Sequence, residues 1–216
     1  WFVINAGSAT ASEVCALIKK GVLIAGGCCG TTPEYIKALT DACAGISPVP
    51  VTDKNITWVS SYTHAVELGA EPILIGERIN PTGKKRFKQA LRDHDIEYIL
   101  QQGLAQEDAG AQILDVNVGL PELDEQRVMT ETVAALQAVT DLPLQLDSNN
   151  PAVLAAAMRI YNGKPLINSV NGKPESMAAV FPLIKKYGGC AIAVTLDENG
   201  IPSTAEGRVA VAEKII

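Results

Sequence analysis

Aromatic side chains make up only 5% of the 216 residues, and there are just two histidines. No apolar run approaches the ~18 residues that a membrane-spanning helix needs, so no span is expected within the chain. Basic residues are not in excess: the formal charge is −6 and the pI is near 5.0, which argues against the cationic face that nucleic-acid binding requires. The five cysteines (Cys15, Cys28, Cys29, Cys43, Cys190) are odd in number and irregularly spaced, so a disulfide framework is not expected. A reducing, cytoplasmic location fits that pattern better. Hydrophobic residues at 47% and charged residues at 19% describe an α/β enzyme with a sizeable core, not a disordered chain.

Several chemistries are missing as well. No histidine stands at the end of an apolar run, no Ser–His–Asp arrangement is visible, and no cysteine lies beside a base. Gly76 to Gly83-Lys84 has six intervening residues instead of the four of a phosphate-binding loop, and the Ser or Thr that should follow is absent. No G-x-G-x-x-G follows any apolar run. The chain starts at Trp1 and stops inside a helix-like stretch, Ala205–Ile216, so a fragment of a longer protein is expected.

What is present is an alternation. Apolar runs at Ile73–Ile75, Gln112–Val118, Leu144–Leu146, Leu166–Ile167 and Cys190–Leu196 are separated by helix-period segments. Those segments are Phe87–Ala109, Leu123–Val139, Pro151–Tyr161, Pro174–Tyr187 and a fifth from about Ala205. Gly110, Gly163 and Gly188-Gly189 sit where helix C-caps belong. Apolar strands each followed by a helix indicate parallel βα units, in either a doubly wound sheet or an interrupted (β/α)₈ barrel. Upstream, an apolar run (Phe2–Ile4), a helix (Ser12–Lys20), a strand (Val22–Ala25) and a second helix are expected, the last with Thr32 as N-cap and Pro33 in its first turn. Between the two parts, the proline-containing stretch from Gly45 reads as an extended linker.

Each apolar run after the linker ends in small polar residues: Gly76-Glu77-Arg78-Ile79-Asn80-Pro81-Thr82-Gly83, Asp115-Val-Asn117, Asp147-Ser148-Asn149, Asn168-Ser169 with Asn171, and Thr195 with Asp197. Any single cluster of this kind is often only an N-cap or turn. Asp115 and Asn117, however, alternate within a strand and so point the same way. Repetition over five strands places the clusters on the one face where parallel α/β domains build their sites. A ring of carboxylates and amides suits a flat heterocycle with alternating donors and acceptors. Lys84, Lys85 and Arg86 could attract an anionic tail, or be a solvated helix start.

The stretches Ile75-Gly-Glu-Arg-Ile-Asn-Pro-Thr-Gly83, Leu114-Asp-Val-Asn-Val-Gly119, Leu146-Asp-Ser-Asn149 and Ile167-Asn-Ser169 resemble the pterin-binding domains of the cobalamin-dependent methionine synthase family, and are similar to folate:corrinoid methyltransferases. This resemblance implies a TIM barrel that binds methyltetrahydrofolate at its C-terminal face. Asp147 and Asn168 then correspond to pterin-contacting residues, and Glu77, Asn80, Thr82, Gly83, Asp115 and Asn117 line the same mouth. The catalytic residues are expected on later strands. Val22-Leu-Ile-Ala-Gly-Gly-Cys28-Cys29-Gly-Thr-Thr-Pro33-Glu34 resembles the last strand of homocysteine S-methyltransferase barrels, which implies that Cys28 and Cys29 are two of three zinc ligands. The third ligand would lie upstream; Cys15 and Cys43 fall in helices and read as core.

The expectation is therefore an α/β protein with two (β/α)₈ barrels, both incomplete in this chain. Residues 1–45 would end a homocysteine-binding zinc barrel, 46–71 form the linker, and 72–216 give the first five βα units of a pterin-binding barrel. The resemblance implies methyl transfer from methyltetrahydrofolate to zinc-bound homocysteine by way of cobalamin, which a separate corrinoid-binding domain or protein would carry. Two alternatives stay open: a methyltransferase of the same build with another thiol or corrinoid acceptor, and a non-catalytic element that docks a corrinoid partner.

Overall fold

A computed structural model describes residues 2–5, 10–47, 49–50, 52 and 55–216, which fall into two compact units divided after Asn55. Among the described residues, no helix is long and apolar enough to cross a membrane. In the first unit, β1 (Phe2–Asn5) pairs in parallel with β2 (Val22–Gly26), and α1 (Ala11–Ile18) connects them. Thr10 and Glu13 form a reciprocal capping box at the start of α1, which satisfies two otherwise orphaned donors. Helix α2 (Pro33–Cys43) begins as the sequence indicates: the Thr32 hydroxyl accepts from the Tyr35 amide, and Pro33 occupies the first turn. Val14 and Leu39 form the small buried core between the two helices.

The second unit departs from the expected linker. Trp1, residues 6–9, Pro48, Val51, Asp53 and Lys54 lie outside the described residues, and the first part of the linker expectation falls partly on them. Its later part is folded: β3 (Thr57–Ser60) and β4 (Ala65–Leu68) form an antiparallel hairpin. Val59 and Val66 alternate out of this hairpin onto Ile113 and Leu166, and that packing turns a polar-looking segment into part of the core.

Beyond the hairpin come β5 (Ile75–Ile79), α3 (Lys85–Arg92), α4 (Ile96–Asp108), β6 (Ile113–Val116), α5 (Glu125–Leu136), β7 (Leu144–Asp147), α6 (Pro151–Ile160), β8 (Leu166–Asn171), α7 (Pro174–Tyr187), β9 (Cys190–Val194) and α8 (Ala205–Ile215). The five strands pair in parallel in sequence order, β5-β6-β7-β8-β9, as an arc of a (β/α) barrel. Successive side chains face opposite cores. Leu114, Leu144, Leu146 and Ile167 pack outward with the helices, whereas Ile113, Leu166 and Ile192 face inward toward the hairpin. Burial of each such Leu or Ile is worth about 1.5–3 kcal/mol, so this alternation fixes which polar residues must also face inward.

Two expected details change. The single helix expected over Phe87–Ala109 is broken into α3 and α4 at Asp93-His94-Asp95. His94 adopts a left-handed backbone, and the Asp95 carboxylate caps the new start by accepting from the Tyr98 amide. Gly110 and Gly188 do follow helix ends with positive φ, but Gly163 is no C-cap. It is pressed against the hairpin, where a Cβ would overlap the Ser60 carbonyl oxygen.

The hairpin is tied to the amino-terminal ends of the strands. Ser60 and Lys164 exchange backbone hydrogen bonds of 2.8 and 2.9 Å, and the Ser61 hydroxyl donates to the Asp141 carbonyl at 2.6 Å. The buried Tyr161 hydroxyl accepts from the Leu144 amide and donates to the Ser60 carbonyl, both at 3.0 Å. Burial pushes its pKa up to about 12. Tyr161→Phe leaves the Leu144 amide without an acceptor and should cost about 1–3 kcal/mol in urea unfolding. Gly163→Ala should cost at least as much, because backbone must move. Unchanged unfolding midpoints for both would show that the hairpin is not part of the folded core.

Candidate acid–amide site at the carboxyl ends of the strands

The inward positions change character along the strands. Two residues beyond Ile113 and Leu166 come Asp115 on β6 and Asn168 on β8, and Gln145 on β7 lies in register with Asp115. Two residues further along β6 and β7 come Asn117 and Asp147. Asp115 and Gln145 are register partners, 2% and 5% exposed, and the Gln145 amide donates to Asp115 Oδ1. One step higher, Asn117 Nδ2 donates to Asp147 Oδ2 at 2.9 Å, while Asn117 Oδ1 accepts from the Gly119 amide. Asp147 is in register with Asn168, and the peptide bond after Asn168 is cis.

Burial is the main reason that both carboxyls resist ionisation. It pushes Asp115 up to about 6, with Asp147 and Glu77 adding repulsion while Gln145 and the neighbouring Asn168 favour the charged form. Asp147 is also raised, first by burial and then by Glu77 and Glu125, against the bond from Asn117. Two acceptors are left over: Asp115 Oδ2 and Gln145 Oε1 are buried without a hydrogen-bond partner among the described residues. Asn168 therefore affects Asp115 from beside it without completing a bond to Oδ2.

The structure thus gathers Asp115, Asn117, Asp147 and Asn168 into one cluster, with Glu77 acting on both aspartates through its charge. Glu77 is itself exposed and pairs with Lys84 at 3.4 Å. The other residues indicated by the sequence do local work. Asn80 is buried and its Oδ1 accepts from the Thr82 amide, while Thr82 and Gly83 are exposed in that turn. Asn171 and Asp197 likewise accept from the backbone amides of Lys173 and Asn199. Of the basic trio, Lys84 is held by Glu77 and Arg86 by Asp95, with its guanidinium also over the Tyr98 ring.

One member was missed by sequence reasoning. Gln145 was hidden between Leu144 and Leu146 in what reads as an apolar strand; a lone polar residue in phase with Asp147 was the available signal. Ser148, part of the third strand-end cluster, follows β7 and donates to Glu125 Oε1 at 2.6 Å while accepting from the Asn150 amide. No sequence spacing announces that pairing, because it bridges two different βα units.

In the first unit, Cys28 and Cys29 follow β2 in an exposed loop, with their sulfurs 3.8 Å apart. That separation excludes a disulfide and matches the roughly 3.8 Å between two thiolates sharing a tetrahedral zinc at ~2.3 Å. Gly27 lets the loop fold tightly, since a Cβ there would overlap the Thr31 side chain. Among the described residues, no group of three or more His, Cys, Asp or Glu side chains could hold a metal ion.

Asp115 supplies a stability test. Its folded pKa is raised above the unfolded carboxylate value, so the folded state holds the proton more tightly. Stability is then lost as pH rises from about 4 through about 6. Asp115→Asn removes the charge and keeps an acceptor for Gln145. It should raise the melting temperature at pH 8 and have little effect at pH 4. An equal shift at both pH values would contradict the buried-charge assignment.

Comparison with known proteins agrees with this layout. The profile of the family described as "Pterin binding enzyme" matches residues 76–214, and that of "Homocysteine S-methyltransferase" matches residues 5–43. The methionine synthase of Mycobacterium leprae is 34% identical over 208 residues, covering 91% of this chain and 17% of that protein. The methionine synthase of Mycobacterium tuberculosis is 34% identical over 206 residues, with the same coverage of each. The chain therefore spans about 17% of the length of these relatives. The 7,8-dihydropteroate synthase of Vibrio fischeri ES114 has the same fold, with a TM-score of 0.51 at 15% identity over 74% of this chain and 61% of that one. With the family profile covering most of the length and all five strands, the chain belongs to the pterin-binding enzymes.

Proposed function

We propose that the acid–amide cluster holds the pterin of methyltetrahydrofolate, and that the protein is a methyltransferase delivering the folate's methyl group to homocysteine by way of cobalamin. The observation that carries this reading is the convergence of Asp115, Asn117, Asp147 and Asn168 from three adjacent parallel strands. An amino-pyrimidinone edge presents adjacent N–H donors, and an ionised carboxylate accepts two of them in charge-assisted bonds. Asn117 fixes the Asp147 carboxylate in one orientation, which leaves Asp147 Oδ1 for such a donor. Asn168, as an amide, can donate to a ring nitrogen or carbonyl while accepting from an amine. Similarity to two methionine synthases, and the homocysteine methyltransferase profile over residues 5–43, support the choice of folate and homocysteine.

Cys28 and Cys29 would hold zinc together with ligands from elsewhere in a longer polypeptide. Zinc there supplies positive charge that keeps a substrate thiol ionised at neutral pH. The exposure of both cysteines leaves room for a thiol substrate beside them. A corrinoid would come from another module, and a reducing, cytoplasmic compartment suits both groups. Residues described here bind and orient the heterocycle.

Removing one partner from a dry polar site costs roughly 1–3 kcal/mol, or about ten- to a hundredfold in affinity. Asp147→Ala and Asn168→Ala in the full-length protein should weaken methyltetrahydrofolate binding by that factor in calorimetry and leave homocysteine binding unchanged. Unaltered folate affinity in both folded variants would remove the cluster from the site. Separately, metal analysis of the full-length protein should find about one zinc per chain, lost in Cys28→Ala and Cys29→Ala. Full zinc retention in both would reject the cysteine pair as ligands.

A further inference from the structure

Gln145 is the one inward polar residue at this level that the family motifs leave out, and its surroundings say what it does. It lies opposite Asp115 on the adjacent strand, both side chains are more than nine-tenths buried, and its amide donates to Asp115 Oδ1. The remaining oxygens of the two groups, Asp115 Oδ2 and Gln145 Oε1, have no donor among the described residues. A buried amide in a hydrocarbon layer costs stability unless it is bonded, so packing alone would favour an aliphatic residue between Leu144 and Leu146.

We propose that Gln145 is a positioning residue of the pterin site: it fixes the direction of the Asp115 carboxylate, so that Asp115 meets the bound heterocycle's N–H groups as an acceptor. This rests on the reading of the cluster as a pterin site.

The reasoning turns on which hydrogen bonds are possible. An ionised carboxylate only accepts, so the Gln145 amide must present its NH₂ to it. A protonated Asp115 keeps one accepting oxygen, but the bond it then receives is a neutral one, weaker than the charge-assisted bond to a carboxylate. Gln145 therefore stabilises the ionised, acceptor-only state of Asp115 more than the protonated one. Nothing else near Asp115 does this as directly. The charged groups acting on it are Glu77 from β5 and Asp147 from β7, both repulsive. Lys84 is engaged by Glu77, Glu125 of α5 acts on Asp147, and Asn168 of β8, a neutral amide, favours the charged form less strongly than Gln145 does. With two carboxylates opposing ionisation, loss of the amide donor should move the protonation of Asp115 to higher pH.

The test is methyltetrahydrofolate binding to the full-length protein between pH 5 and 8.5, with unaltered Gln145, Gln145→Met and Gln145→Glu, together with thermal melts. Met has nearly the same length and no donor, so the fold should survive, with a melting temperature little changed at pH 5 and lowered at higher pH, where Asp115 ionises without its donor. Its affinity at pH 7 should fall about tenfold and recover toward pH 8.5, with the midpoint of the binding profile displaced upward. Gln145→Glu, which sets a second carboxyl against Asp115, should displace that midpoint further. A purely structural role would lower the melting temperature at every pH and leave the pH midpoint in place. Coincident pH profiles in the unaltered protein and both variants overturn the proposal while leaving the pterin site standing. Absence of binding by the unaltered protein at every pH overturns the pterin reading, and this proposal with it.

Discussion

Carboxylates and amides can be buried inside a parallel sheet only if each is matched to a partner on the neighbouring strand, and that constraint organises the second unit. The inward face of β6, β7 and β8 is apolar at the amino ends, where Ile113 and Leu166 meet Val59 and Val66 of the hairpin. Two residues further on, the same face carries Asp115 with Gln145, and then Asn117 with Asp147. The floor excludes water from below, which raises the cost of leaving any of these groups unpaired and strengthens the bonds that are made. Parallel register does the matching: Asp115 is opposite Gln145, and Asp147 is opposite Asn168. A one-residue slip would send the polar set into the helical layer and the leucines into the interior.

Much of this was legible in the sequence because parallel strands are apolar on both faces and end in polar residues. Asp115-Val-Asn117 showed the inward phase directly, since period-two alternation of polar residues has no helical reading. The helix start at Thr32-Pro33 carried capping chemistry that the structure repeats. The hairpin was not legible. Its strands are four residues each, and Val59 and Val66 gain meaning only from Ile113 and Leu166, which lie far along the chain. The break between α3 and α4 was missed for a different reason: Phe87, Leu91 and Tyr98 keep helical spacing across Asp93-His94-Asp95, and only the Asp95 cap betrays the interruption. In the turn after β5, Asn80 Oδ1 accepts from the Thr82 amide, a local bond that the sequence does not announce.

In the first unit the proposed zinc ligands are two adjacent cysteines. Cys28 and Cys29 are held by the fold of their loop, with the Thr31 amide bonded to the Cys28 carbonyl and Gly27 making room for the Thr31 side chain. The spacing of their sulfurs suits a shared tetrahedral ion. Cys15 and Cys43, by contrast, come together between α1 and α2 with sulfurs 3.3 Å apart, and burial raises the Cys43 thiol away from the ionised form a metal ligand requires.

The central claim is that the cluster recognises the amino-pyrimidinone edge of a pterin through carboxylate acceptors. The most direct measurement is a competition titration of methyltetrahydrofolate on the full-length protein with two small heterocycles, 6-methylpterin and 6-methyllumazine. They differ at one position, where lumazine replaces the exocyclic amine with a carbonyl. Carboxylates that accept from that amine would face an acceptor instead, so the account predicts that the lumazine competes at least about tenfold more weakly. Equal competition by the two would contradict it.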